Sequence, residues 1–180
     1  MDKPNTLHYT TCPSPLGELT LLASDKGLAG MWFERQEHLP EPSYRINWQR
    51  CETNACPVVL QNAVSQLQEY FAGKLQRFDL ALDLSSGTAF QQLVWQALLT
   101  IPFGGTTSYG EISHLIQNPK AIRAVGGAIG RNPIGIIVPC HRVIGANGSL
   151  TGFGGGLAAK KFLLDLEQRH APARAFALSP

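Results

Sequence analysis

Nothing in this chain of 180 residues forms a long apolar run, and Met1-Asp2-Lys3-Pro4 does not open a basic-then-apolar leader. A membrane span and an export signal are not expected, which places the protein in the cytoplasm or another reducing compartment. Cysteine is sparse as well. Cys12, Cys51, Cys56 and Cys140 include no Cys-x-x-Cys pair and keep no regular spacing, so neither a disulfide framework nor a thiol-redox motif is expected. Cys51 and Cys56 with a histidine could in principle hold zinc, but their spacing is off the common pattern, and no metal is assigned. What the chain does have is a 44% apolar composition, enough to bury a core in one large or two small domains.

The net charge of +2 hides an asymmetry. Residues 1–84 hold 7 Lys+Arg against 10 Asp+Glu, net −3, whereas residues 85–180 hold 8 against 3, net +5. Chance distribution over a solvated surface accounts for such a split, and so does a second half that faces nucleic acid. Ser85-Ser86-Gly87 is the natural boundary.

The first half reads as a small α/β unit. Leu7 to Cys12 suits a strand, Leu19, Leu21 and Ala23 alternate as in a half-buried strand, and Asp25-Lys26-Gly27 turns into a third strand, Leu28 to Phe33. Residues 34–57, with Pro40, Pro42 and Pro57, read as irregular. Leu60, Ala63, Val64, Leu67, Tyr70 and Phe71 keep helical spacing up to a stop at Gly73, and Leu80, Leu82 and Leu84 alternate as one more strand. His8 and His38 are isolated and carry no chemistry.

The second half is helical. Thr88 and Gln91 have capping-box spacing ahead of a helix through Ile101, and Ser108 with Glu111 opens another through about Ile116. Asn118-Pro119 reads as a cap and first-turn proline that start the next helix, about Lys120 to Gly130, after a very short turn. Two helices so joined make a helix-turn-helix, whose second helix commonly docks on DNA. On that helix Ile122, Val125 and Ile129 form a bulky inward stripe. Ala121, Ala124 and Ala128 form a face with almost no side chain, which suits close packing of another helix and equally a DNA backbone. Arg123 beside it suits a surface arginine or one that enters a base stack.

The chemistry centres on Ile134 to Gly145. Ile136, Ile137 and Val138 read as a short buried strand ended by Pro139, with Cys140 at its mouth. A lone cysteine after an apolar run is ordinarily a core residue. A histidine and an arginine directly behind it shift the reading toward a nucleophile, since a thiol of pKa about 8.5 needs a base or positive charge to become thiolate. Downstream, Phe153 precedes Gly154-Gly155-Gly156, whose backbone N–H groups can approach a ligand. The last helix buries Ala159, Phe162, Leu163 and Leu166, with Glu167 at the margin, where a half-buried carboxylate would want His141.

Pro139-Cys140-His141-Arg142-Val143, Asn118-Pro119-Lys120-Ala121, Arg123-Ala124-Val125-Gly126, Asn132-Pro133 and Glu167 together resemble the O6-alkylguanine-DNA alkyltransferase family in its bacterial form, densely over residues 88–168. The resemblance implies an α+β protein: a structural, ribonuclease-H-like α/β domain over residues 1–84, and a mostly helical DNA-binding and alkyl-transfer domain with the helix-turn-helix over residues 88–180. It also implies a cofactor-free, single-turnover repair protein that flips O6-alkylguanine, and O4-alkylthymine, out of double-stranded DNA and keeps the alkyl group. No membrane and no obligate protein partner are implied.

Position by position, Cys140 resembles the alkyl acceptor, and His141 the base that acts through a water, held by Glu167. Tyr109 resembles the residue that crowds the flipped nucleotide and donates to the guanine ring. Asn132 resembles the tie between the helix-turn-helix and the active-site segment. Arg123, Ala121, Ala124, Gly127, Ala128 and Tyr109 would face DNA. Val143, Phe153, Gly154 and Gly155 would line the pocket, with the Val143 carbonyl reading the guanine amino group and the Gly154 N–H pointing at O6. Phe153, where the family often has tyrosine, and Gly154, where other members have serine, imply an altered substrate range. Two rival readings are a cysteine hydrolase and a non-catalytic binder of alkylated DNA.

Overall fold

A computed structural model describes residues 7–36, 40 and 45–172; Met1-Asp2-Lys3-Pro4, His38 and Pro42 lie outside them. The first half is built on a four-stranded sheet of order β3-β2-β1-β4. β1 (Leu7–Ser14), β2 (Gly17–Ser24) and β3 (Gly27–Phe33) pair antiparallel in sequence, and His8 sits on β1. β4 (Trp48–Arg50) adds parallel to β1, so the stretch expected to be irregular contains a short strand. Its pairing is reinforced by stacking of Trp48 on Trp32, with ring centroids 5.5 Å apart. Gly30 is required under that stack, because a Cβ there would lie 1.8 Å from the Trp32 ring.

Leu19, Leu21 and Ala23 face α1 (Val58–Phe71), which buries Leu60, Ala63, Val64, Leu67 and Tyr70 against the sheet. Gly73, at φ 72°, ends that helix in the left-handed region.

Several sequence expectations give way here. Cys51 and Cys56 are joined by a disulfide, because a 3₁₀ turn over Thr53–Ala55 curls the chain back until their Cα atoms stand 5.2 Å apart. The strand expected over Leu80 to Leu84 shrinks to a single bridge between Leu82 and Leu28. The Asp83 carboxylate accepts from Ser24 and Ser85 and turns the chain away from the sheet edge.

In the second half α2 (Ala89–Leu98) and α3 (Tyr109–Leu115) each begin with a complete capping box, Thr88 with Gln91 and Ser108 with Glu111. α4 (Ile122–Gly130) packs on both, and Trp95 Nε1 donates to the Ala128 carbonyl at 2.8 Å. The helix-turn-helix connection is longer than its sequence suggested. Gln117 adopts φ 57°, Asn118 to Lys120 form a turn, and α4 starts at Ile122 with Ala121 as its cap. Strands β5 (Thr107–Ser108) and β6 (Val143–Ile144) pair in parallel, and α5 (Leu157–His170) closes the half. The architecture is α+β, a sheet-rich domain followed by a helical one.

The segment between α4 and Cys140 joins the two. Met31 N donates to the Pro133 carbonyl at 2.8 Å and Gly135 N donates to the Met31 carbonyl at 3.2 Å, so residues 133–135 extend the edge of β3. The expected strand over Ile136 to Val138 is absent. Ile137 N instead donates to the Gly135 carbonyl at 2.6 Å across Ile136, which sits at φ 62°. That is the hydrogen bond of a γ-turn, strained for a β-branched residue by about 1–3 kcal/mol and offset by full burial of the Ile136 side chain.

Candidate active site

Cys140, His141 and Arg142 make one 3₁₀ turn directly behind Pro139, and all three are buried. Asn132 braces the approach: its Nδ2 donates to the Val138 carbonyl at 2.8 Å and its Oδ1 accepts from Ile134 N at 3.0 Å. Both ends of the strained loop are therefore tied to one side chain at the foot of α4.

His141 is fully buried, with Nε2 2.7 Å from Glu167 Oε1. Glu167 is brought there by α5 and is met by four further donors. Arg142 Nε and Nη2 donate at 2.9 and 3.0 Å, Gly104 N at 3.0 Å and the Tyr70 hydroxyl at 2.8 Å. Arg142 Nη1 also donates to the Ile101 carbonyl at 2.6 Å. Burial alone would raise the Glu167 pKa, but hydrogen bonds and charge from His141 and Arg142 take it down to about 2. Arg142 is the charge that keeps the carboxylate ionised at rest, because burial drives His141 below its usual value and leaves the ring neutral. Against an ionised carboxylate, Nε2 must carry the ring hydrogen. Nδ1 is then a bare lone pair, and it finds no hydrogen-bond partner among the described residues.

Cys140 is pushed up by burial, an effect opposed by the Asn132 amide, the Lys160 charge and the backbone N–H groups of Cys140 and His141. Lys160 was missed in the sequence. It is fully buried on α5, its Nζ donating to the carbonyls of Val143 and Thr151 at 2.5 and 2.6 Å. Its signal was its phase: Lys160, Leu163 and Glu167 recur at i, i+3 and i+7 on one helical face. The Val143 carbonyl thus already accepts one hydrogen bond.

Phe153 stands edge-on to His141, centroids 6.4 Å apart, and to Phe33 at 5.6 Å. Two of the following glycines are crowded by the first half. A Cβ at Gly154 would lie 3.1 Å from Gln36, and one at Gly155 2.8 Å from Phe33. Backbone can approach closely there, as expected, but part of the demand for glycine comes from packing against β3. A cavity of about 800 Å³ lies elsewhere, lined by Phe78, Leu82, Leu99, Ile101, Pro139 and Arg142 and touching neither Cys140 nor His141.

Residues 7–84 match the family 6-O-methylguanine DNA methyltransferase, ribonuclease-like domain, and residues 89–169 match 6-O-methylguanine DNA methyltransferase, DNA binding domain. The chain belongs to this family. Among similar family members, the methylated-DNA--protein-cysteine methyltransferase of Mycobacterium tuberculosis strain H37Rv is 53% identical over 167 residues, 93% of this chain and 96% of its own. The Haemophilus influenzae protein of the same name is 44% identical over 162 residues, 90% of this chain and 87% of its own. The crystal structure of Mycobacterium tuberculosis OGT in complex with DNA superposes with a TM-score of 0.80 at 51% identity, covering 93% of this chain and 97% of that one.

Within the family's DNA binding domain, the outer surface of α4 differs in part from its sequence reading. Arg123, Ala124 and Gly127 are exposed and Ala121 is half-buried. Ala128 is only 3% exposed and faces α2, so it cannot touch DNA: it falls in phase with Val125 and Ile129 on the packed face. Ile122, expected inside, is 47% exposed, because as the first residue of the helix it sits beyond the packed surface. Tyr109 opens α3. Its ring lies about a van der Waals contact from where a Cβ on Gly126 would be, and its hydroxyl donates to the Thr151 carbonyl at 3.3 Å.

Proposed function

We propose that this protein repairs DNA by moving the alkyl group of O6-alkylguanine in duplex DNA onto Cys140, irreversibly, so that each chain acts once and in the cytoplasm. The observation that carries the reading is the His141 ring, buried, tied through Nε2 to ionised Glu167, and bare at Nδ1 in the turn that also holds Cys140. A water between thiol and Nδ1 passes the Sγ proton to the ring. Glu167 then stabilises the imidazolium, and Lys160 the thiolate.

The thiolate attacks the alkyl carbon: an S–C bond forms, the C–O bond breaks, and its electron pair goes to guanine. A proton from the Tyr109 hydroxyl neutralises the departing base, and Tyr109 regains one from solvent while His141 gives up to solvent the proton lost by Cys140. Cys140 and Val143 carbonyls read the guanine amino group, and the Gly154 N–H meets O6. Nothing hydrolyses a thioether, which is why turnover stops at one.

An alkyl group on O6 lies inside the duplex, so the nucleotide is extruded at a cost of a few kcal/mol. The nearly side-chain-free strip of half-buried Ala121 and exposed Ala124 and Gly127 lets the backbone approach α4, and Arg123 fills the gap in the stack. Arg123→Ala should slow repair of duplex roughly tenfold and leave reaction with the free modified base unchanged, measured by the rate of Cys140 alkylation. Equal slowing on both substrates would remove Arg123 from this role.

Mass spectrometry tests the reaction itself. Mixed with DNA bearing O6-methylguanine, the protein should gain one methylene on the peptide containing Cys140, to a plateau of one per chain. A hydrolase would keep its mass and form product without limit. A binder would leave both molecules unchanged.

A further inference from the structure

Tyr70 is the thirteenth residue of α1, on the first-half domain, and is separated from Glu167 by 97 positions, yet its hydroxyl donates to Glu167 Oε1 at 2.8 Å. The ring is fully buried, edge-on to Phe71 at 5.5 Å and to Phe103 at 6.1 Å, and tilted on Phe78 at 5.3 Å. A phenylalanine would serve that aromatic packing. The hydroxyl adds a polar group to an apolar nest, a cost of about 1–3 kcal/mol unless it is bonded, and here it is bonded to the carboxylate that faces His141. Burial first, then the Glu167 charge, drives the phenol far above its ordinary pKa, so Tyr70 stays a proton donor at any working pH.

We infer that Tyr70 is a positioning residue for alkyl transfer, by which the first-half domain holds Glu167 Oε1 toward His141 and tempers the charge that oxygen presents to the ring. The inference rests on the proposed relay from Cys140 to His141. Oε1 is shared by three donors, the Tyr70 hydroxyl, His141 Nε2 and Arg142 Nη2, while Oε2 takes Arg142 Nε and Gly104 N. Arg142 and Gly104 come from the same domain as Glu167. Of these donors, Tyr70 alone belongs to α1. It therefore links the packing of α1 on its sheet to the angle at which the carboxylate meets the imidazole.

Two effects of opposite kind follow from removing the hydroxyl. Loosening of the carboxylate lowers the limiting rate, on the order of tenfold for a catalytic group that loses its alignment. Charge formerly drawn toward Tyr70 falls on His141, so the imidazolium is held more tightly and the pH at which alkylation reaches half its limit moves down. Deleting the Glu167 charge moves it up. A loss of packing alone would shift neither.

The experiment measures alkylation of Cys140 by free O6-methylguanine and by duplex as a function of pH, in the full chain and in Tyr70→Phe. The expected result is a lower limiting rate on both substrates and a midpoint displaced to lower pH. Leu67→Ala, on the same helix, should lower Tm without moving the midpoint, and in a Glu167→Gln background Tyr70→Phe should move it no further. An unmoved midpoint, or equal shifts in both backgrounds, overturns the role of Tyr70 while leaving the function intact if the unaltered chain still transfers one methyl group. A chain that transfers none overturns both.

Discussion

Cys140→Ser should bind methylated duplex as the unaltered protein does and remove no methyl group, a loss of at least about a thousandfold, since a serine hydroxyl is a far weaker nucleophile at neutral pH. Binding survives because the exposed strip around Arg123 is on α4, whereas residue 140 lies buried behind Pro139. Modified mass should not appear on the other cysteines. Cys51 and Cys56 are bonded to each other. Cys12 is buried, and burial with the nearby Glu18 charge pushes its thiol up to about 11. Burial raises Cys140 too, but there a lysine, an asparagine amide and two backbone N–H groups pull the other way. Mass on Cys12, or methyl removal by the serine variant, would show that the chemical centre lies elsewhere.

Glu167→Gln should be the more damaging change to the molecule as a whole. It leaves the Arg142 guanidinium buried without a counter-charge, and breaking one side of a buried ion pair costs about 3–5 kcal/mol. Urea unfolding at neutral pH reads that loss directly. The sign with pH is also determined. Because the folded-state pKa of Glu167 is depressed to about 2 from 4.5, its contribution is complete above 4.5 and is lost as pH falls from there toward 2. The variant should lack that part of the acid dependence. In the reaction, the imidazolium loses its partner, so the alkylation midpoint moves to higher pH and the rate falls on free base and duplex alike. A midpoint that does not move would show that His141 takes no proton from Cys140.

How much of this could be read without coordinates depended on the range of the interaction. The β1 to β3 meander, α1 and the capping boxes of α2 and α3 were legible because each is set by neighbours within a few positions: alternation, 3.6-residue spacing, a hydroxyl reaching an N–H three residues on. Failures fell where distant partners outvote local preference. Ile136 to Val138 has the composition of a strand. Instead, Pro133 and Gly135 just ahead of it are committed to Met31 and the Val138 carbonyl to the Asn132 amide, and the chain between them takes a γ-turn. Leu80 to Leu84 alternates like a strand but meets β3 at one residue only. Pro119 looked like a first-turn proline, and the left-handed Gln117 postponed the helix to Ile122.

The site divides in the same way. The sequence by itself singled out the proposed reacting group and its immediate company, because Pro139, Cys140, His141 and Arg142 are consecutive and a candidate nucleophile with a base and a cation behind it is visible in one line. Glu167 was legible at the margin of the last helix's apolar face as a carboxylate wanting His141, and the resemblance to a known family gave it the role of holding the imidazole. Only the tertiary structure decided what surrounds them. Lys160 reaches the turn from α5, Gly104 reaches Glu167 from the loop ahead of β5, and Tyr70 from the other domain across 97 residues. No local pattern announces such a meeting, because a buried charge is satisfied by whichever donors the packed core brings within 3 Å, and that choice is made only when the domains close on one another.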